Sequence, residues 1–263
     1  MEGENMKKLI YILTLTVAGV VLSSCIGDLN TKPLNKTDFI ADNVYNDQEI
    51  TYLQGLSKIY FQFVSNDTKD LEVADGGASE LIRAFWSAQE TTTDEAKCAW
   101  IKDAWVRALN TNTYSEAQND ATYAVYVRTI QGITLVNEYL RQTAPELLKQ
   151  RGVSDELASK IDGFRAEARF LRAYFYWMAM DTFGDVPFTT EEDVLGMGFR
   201  PKQRPRAQIF EYVTQELEDL LKDDSHMPEA QSNYPRADKG AVAGLLVRLY
   251  LNAEIYTAPI DQP

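Results

Sequence analysis

Histidine and cysteine are nearly missing from this chain of 263 residues. There is one histidine, His226, and there are two cysteines, Cys25 and Cys98. A Ser-His-Asp hydrolase would have to use His226, which sits in the polar stretch Asp223-Asp224-Ser225-His226-Met227-Pro228-Glu229 and reads as a solvated loop residue. Zinc sites built from His and Cys lack ligands at workable spacing, so no metal is expected. Cys98 has no intrachain partner if Cys25 is otherwise engaged, which excludes a disulfide framework. Positive charge is also short: 26 basic against 39 acidic side chains give a net charge of −13, and removing residues 1–24 leaves it unchanged. Such a surface repels a phosphate backbone, which argues against nucleic acid and against an anionic membrane bound through the protein face. A neutral ligand such as a sugar meets no such barrier. Strand signals are scarce, and there is no GxGxxG or other Gly-rich phosphate loop, so no cofactor is implied. The conspicuous apolar run, residues 9–22, is shorter than the roughly 20 residues that cross a bilayer core.

What is there begins with that run. Met6-Lys7-Lys8 supplies a basic start, residues 9–22 supply an apolar segment of secretory-signal size, and Leu22-Ser23-Ser24-Cys25 follows. This ending resembles the bacterial lipobox: an aliphatic residue, two small ones that fit a peptidase groove, then the thiol that takes the lipid. The resemblance implies residues 1–24 as a lipoprotein signal peptide, cleavage before Cys25, and a diacylglyceryl thioether on Cys25. With more than one acyl chain (palmitate-like) the anchor is stable, at about 0.8 kcal/mol per buried CH₂. Residues 25–45 then read as a lipidated tether and residues 46–263 as the globular body. At 45% hydrophobic residues that body can bury a substantial core.

The apolar period from residue 46 onward is helical. Asn46-Asp47-Gln48-Glu49 reads as a capping box, followed by a face of Leu53, Leu56, Tyr60 and Phe63. Residues 66–79 read as loop; 79–86 are open between helix and extended chain; 91–100 read as a turn. A helix is expected over about 120–141, its buried face carried by Tyr123, Val127, Ile130, Thr134, Leu135 and Tyr139, with Pro145 just past its end. The clearest helix spans about 155–182, apolar over so wide an arc (Ile161, Phe164, Ala168, Leu171, Phe175 and Met178, with Phe170, Tyr174 and Trp177 beside them) that it must pack on two sides. Gly184 is its C-cap. Ile209, Val213, Leu217, Leu220 and Leu221 mark another helix. Asp238 caps a last one running to about Tyr256, where Gly240 and Gly244 predict a closely approaching neighbour. A weak internal echo aligns Arg172 with Arg248 and Tyr174 with Tyr250 and favours stacked helix pairs over a closed bundle.

The blocks Thr93-Asp94-Glu95-Ala96-Lys97-Cys98-Ala99-Trp100, Arg169-Phe170-Leu171-Arg172-Ala173-Tyr174-Phe175-Tyr176 running on to Phe183-Gly184-Asp185-Val186-Pro187-Phe188, and Arg236-Ala237-Asp238-Lys239 followed by Leu249-Tyr250-Leu251-Asn252-Ala253, together with the lipobox, resemble the SusD/RagB family of outer-membrane glycan-binding lipoproteins. The resemblance runs from Cys25 to about Tyr256. It implies an all-α fold of tetratricopeptide-like stacked helix pairs with long loops. It also implies a non-catalytic protein that binds oligosaccharides at the cell surface and passes them to a TonB-dependent, SusC-like outer-membrane transporter, touching the membrane through its lipid anchor only. Family members run to about twice this length, so residues 46–263 read as an N-terminal portion whose C-terminal part is missing. A helical-repeat adaptor that docks to an outer-membrane partner without a sugar site of its own is the rival reading.

Sugar recognition needs flat aromatic faces and planar polar groups, and residues 75–105 offer Asp75, Arg83, Trp86, Trp100, Asp103 and Trp105 beside loop signals. Set against the starch-binding member of the family, the contacting aspartate and arginine match Asp75 and Arg83, the contacting asparagine falls on Asp103, and an aromatic platform falls on Cys98, which cannot stack. Trp100 lies nearby. The resemblance thus implies Asp75, Arg83, Trp86, Trp100 and Asp103 as ligand-binding residues and puts starch itself in doubt. Trp177 reads as core, and Arg165, Arg169 and Arg172 as structural ion pairs. Paired carboxylates such as Glu191-Glu192 are adjacent and solvated, without the spacing glycoside hydrolysis needs.

Overall fold

The computed structural model describes residues 44, 45, 47–66, 73, 76–114, 119–193, 196 and 198–259. Residues 1–24, which read as a signal peptide, and Cys25 lie outside them, as does Asp75. The helices are α1 (Glu49–Phe61), α2 (Gly76–Ser79), α3 (Leu81–Glu90), α4 (Ala104–Asn110), α5 (Asp120–Gln142), α6 (Pro145–Gln150), α7 (Asp155–Phe183), α8 (Arg206–Leu221), α9 (Lys239–Leu251) and α10 (Ala253–Thr257). Between α7 and α8, β1 (Val186–Pro187) pairs antiparallel with β2 (Gln203–Arg204), Val186 opposite Arg204.

Side-chain caps start three of these helices. Asn119 accepts from the amides of Ala121 and Thr122 at 3.1 and 3.2 Å while its own amide donates to the Trp105 carbonyl, so one buried residue both starts α5 and ties it to α4. Ser154 caps α7 and Asp238 caps α9, the latter as expected. Gly184 ends α7 at φ +72°, where a glycine loses least. Glu49 is the first helical residue of α1, not the third that the expected capping box requires. Gln48 occupies the N-cap of α1 without a side-chain bond, and Asp47 accepts from Ser154 instead, at 3.0 Å from its amide. Asn46 lies outside the described residues. Pro145 opens α6, its missing N–H costing nothing at N1, and the expected last helix is broken at Asn252 into α9 and α10.

The central element is α7, which packs against α1, α3, α5 and α8; α8 in turn packs against α9 and α10. All six residues of its predicted face are buried, and Phe170 and Trp177 beside them. Its second side is aromatic: Phe85 and Tyr174 meet Trp177 edge-on, and Phe63 stacks on Phe175 at 4.5 Å. Burial here corresponds to about 1.5–3 kcal/mol per large apolar side chain.

The predicted face of α5 is a correction. Tyr123 and Thr134 are exposed, and Val127, Ile130 and Leu135 lie only at the margin; of that set Tyr139 alone is fully inside. The buried arc instead carries Ala121, Ala124, Val125, Gly132, Ile133 and Val136. Small residues face α7 because large ones already project from α7: a Cβ on Gly132 would fall 2.6 Å from the Phe175 ring. On α1 the buried set is likewise shifted, to Tyr52, Leu56 and Ile59. The glycines of α9 also fail their expectation among the described residues, since Gly240 and Gly244 face outward and nothing lies within 4 Å of a Cβ at Gly244. Nor is the internal echo matched in environment: Arg172 is buried, Arg248 exposed.

Two buried ionic clusters tie loops to this stack. Arg172 donates to Asn137 at 2.9 Å, to Glu191 and, at 3.3 Å, to Glu216. Burial works against ionising Glu191, yet Arg172 beside it holds its carboxyl below the 4.5 of a free glutamate. Glu167, fully buried, takes two bonds from Arg236 and one from the Tyr60 hydroxyl, which itself accepts from the Ala237 amide. Arg169 pairs with Glu216 at 3.0 Å as expected, whereas Arg165 donates to the Leu140 carbonyl and the Thr143 hydroxyl at the end of α5.

Candidate functional site

The site grows from α3 and the loop 91–103. Leu81, Ala84 and Phe85 hold the inner face of α3 against the core, which turns Ile82 and Trp86, a helical turn apart, outward at 48% and 51% exposure. Arg83 lies three residues before Trp86 on the same side. Its guanidinium runs beside Gly77 of α2, where a Cβ would fall 2.3 Å from Nη1. A larger residue there would push the guanidinium aside.

The loop 91–103 is fastened from α4. The Asn110 side chain accepts from the Cys98 amide at 3.1 Å and donates to the Cys98 carbonyl at 2.8 Å, satisfying both main-chain groups of that residue. Lys97 donates to the carbonyls of Thr91 and Asn110, and Arg107 to that of Ile101. The loop tip therefore has a defined path, and it carries Trp100 at 58% exposure beside Ile101 at 59%. The Arg83 guanidinium lies over the Trp100 ring, 4.8 Å from its centroid. This cation–π contact covers one face of the indole and holds the ring flat, leaving the rest to solvent. Asp103 closes the turn, its amide donating to the Trp100 carbonyl at 3.1 Å. Its exposed carboxylate stands at the N-cap of α4 without capping it.

Of the sequence-predicted residues, Arg83 and Trp100 are in direct contact, Trp86 is presented on the adjoining turn, and Asp103 sits at the base of the Trp100 turn. Asp75 lies outside the described residues. Trp105 is core, 6% exposed, and so is Trp177 at 3%. Cys98 is half-buried against the core, so the exposed aromatic of this loop is Trp100, two residues on. The sequence reading missed Asn110 and Gly77, whose work is done through backbone and space. Among the described residues no group of acidic, histidine and cysteine side chains could hold a metal ion, and no helix is long and apolar enough to cross a membrane.

Exposed Trp100 and Ile101 on a fixed loop, the Arg83 guanidinium reaching over from α3 and the exposed Asp103 carboxylate together make one surface patch. Residues 70–251 match a family model described as starch-binding and associating with the outer membrane. The chain belongs to the SusD-like family. Starch-binding protein SusD of Bacteroides thetaiotaomicron is 30% identical over 99% of this chain, which covers 44% of that protein. Surface glycan-binding protein A from Bacteroides fluxus superposes with a TM-score of 0.58 at 20% identity, over 79% of this chain and 41% of its own. A laminarin-binding SusD-like protein superposes with a TM-score of 0.55 at 18% identity, over 81% and 42%. The all-α, tetratricopeptide-like fold is thus shared with SusD-like carbohydrate-binding proteins, and the chain spans less than half the length of these relatives. The SusD-like family is one of outer-membrane-associated binding proteins rather than of enzymes.

Proposed function

We propose that this chain is the glycan-gripping part of a cell-surface lipoprotein, anchored through Cys25, that takes up oligosaccharides and delivers them to a TonB-dependent, SusC-like outer-membrane transporter. The supporting observation is the Trp100 ring: half-exposed, braced on one face by Arg83, and flanked by exposed Trp86. A braced aromatic loses little side-chain entropy on binding, so stacking against the apolar face of a pyranose is only weakly opposed. Arg83 and Asp103 bond its hydroxyls from either side. The surface is open, so affinity is modest and release to a transporter is easy. The acidic net charge favours a neutral glycan over a uronate or sulfated one. Membership in a family whose printed description is starch-binding and outer-membrane-associated supports the same reading.

The test changes Arg83, Trp86 and Trp100 together to Ala in the cell-surface protein. Oligosaccharide uptake and co-purification with the transporter are then measured. Uptake lost with assembly retained is the expected result. Uptake unchanged with assembly retained would overturn the sugar-gripping role in favour of the adaptor. Mass spectrometry of the mature amino terminus reads the thioether on Cys25 independently.

A further inference from the structure

A cleft separate from the Trp100 surface lies elsewhere among the described residues. It has a volume of about 800 Å³, and none of Arg83, Trp86, Trp100 and Asp103 lines it. It lies where α3, α5 and the C-terminal end of α7 meet, walled by Tyr114, Tyr123, Tyr126 and Phe183 with Gln89 and Asp181 between them. The three tyrosines are 39–43% exposed, and no hydrogen bond among the described residues occupies their hydroxyls. Tyr126 stands edge-on to Phe183 at 5.5 Å, which fixes one wall.

The polar floor is rigid. Asp181 accepts from the Gln89 amide at 2.7 Å and from the Tyr256 hydroxyl at 2.5 Å, and Tyr256 accepts from the Trp177 indole at 3.2 Å. Three elements, α3, α7 and α10, thus meet at one carboxylate, and the cleft is preorganised without a ligand. Among the described residues no lysine or arginine lines it, and the one carboxylate they bring to it, Asp181, already serves two donors. An anionic ligand would meet Asp181 uncompensated. The volume falls inside the roughly 300–1,000 Å³ of small-molecule sites and is too wide to cage a single ammonium group.

From this geometry we infer that the cleft is a second oligosaccharide site, separate from the Trp100 surface and specific for a neutral glycan. Tyr123 and Tyr126 offer ring faces to the sugar, and their hydroxyls, with the spare lone pairs of Gln89 and Asp181, meet its hydroxyls. The inference rests on the proposed glycan-binding reading for its ligand class but not on the residues of that site.

The experiment uses the full chain. An array of neutral plant, algal and host oligosaccharides selects the best binder, and calorimetry with that sugar compares wild type, Y123A/Y126A and R83A/W86A/W100A. The expected result is two sites in wild type, with one of them weakened about tenfold or more in Y123A/Y126A and retained in the tryptophan variant. Binding that is unchanged in Y123A/Y126A but lost in the tryptophan variant overturns the cleft and leaves the Trp100 surface standing. Binding lost only in Y123A/Y126A overturns the Trp100 surface and leaves the cleft. No binding to any neutral glycan overturns both. A Y123F/Y126F pair separates stacking from folding: it keeps the rings and should bind several-fold more tightly than Y123A/Y126A. A melting temperature lowered in Y123A/Y126A with both sugar sites intact would identify the cleft as a polypeptide-packing face and also overturn the inference.

Discussion

Replacing Arg236 by methionine isolates the cost of an unpaired buried charge. Glu167 is fully buried on α7 and has three hydrogen bonds, two from Arg236 and one from Tyr60 at 2.9 Å. Methionine keeps the apolar stem that Arg236 lays against Phe164, 4.9 Å from its ring, and deletes only the cation. Breaking one side of a buried pair costs about 3–5 kcal/mol. Arg236 retains 30% side-chain exposure, which places this loss near 3 kcal/mol at pH 7, or roughly 6–12 °C in Tm for a domain of this size. The double variant E167M/R236M removes both charges and should be more stable than R236M alone. Urea denaturation followed by circular dichroism at pH 7 gives the stabilities of the wild type and both variants. A loss under about 1 kcal/mol in R236M, or a double variant no more stable than R236M, would refute the argument that Arg236 holds the buried Glu167 carboxyl group.

Gly132→Ala puts a Cβ 2.6 Å from the Phe175 ring. Overpacking of about 1–3 kcal/mol, less the helix gain of about 1 kcal/mol for alanine, predicts a net loss of up to about 2 kcal/mol by chemical denaturation, partly restored in G132A/F175L. Glu191→Gln removes a carboxyl whose folded pKa lies below 4.5 under the influence of Arg172. Such a group contributes stability that is present above pH 4.5 and is lost as pH falls through the lower folded value, so the variant should melt lower at pH 7 and show a flatter acid limb between pH 5 and 3; an unchanged acid limb would sink the assignment.

How much of this was readable in advance depends on which atoms do the work. Helix α7 was legible almost residue by residue, because a helix packed on two sides writes its burial into large apolar side chains at spacings of three and four. Helix α5 was misread for the complementary reason. Where α7 supplies the bulk, α5 supplies alanine and glycine, and hydrophobic periodicity has no way to weigh a missing side chain. Tyr123, taken for core on that reading, instead walls the cleft beside Phe183 with Tyr126. At Gly240 and Gly244 small residues misled in the other direction, facing solvent among the described residues.

The candidate site divides along the same line. Arg83, Trp86, Trp100 and Asp103 could be named from residue type and from likeness to a family, since exposed tryptophan beside polar planar groups carries its own chemistry. That Trp105 is core and Trp100 is not is a matter of tertiary packing, and that Arg83 lies on the Trp100 ring and Asn110 bonds both main-chain groups of Cys98 are contacts between residues 17 and 12 positions apart. Sequence by itself determined the acidic charge, the poverty of catalytic and metal-binding side chains, the positions of α1, α5, α7 and α8 and the lipobox-like start, because each is a property of local composition or of period. Only the tertiary structure decided which face of each helix is buried, which carboxylates are paired and where aromatic rings are left open, because those depend on the volume and charge that neighbouring elements bring to the same place.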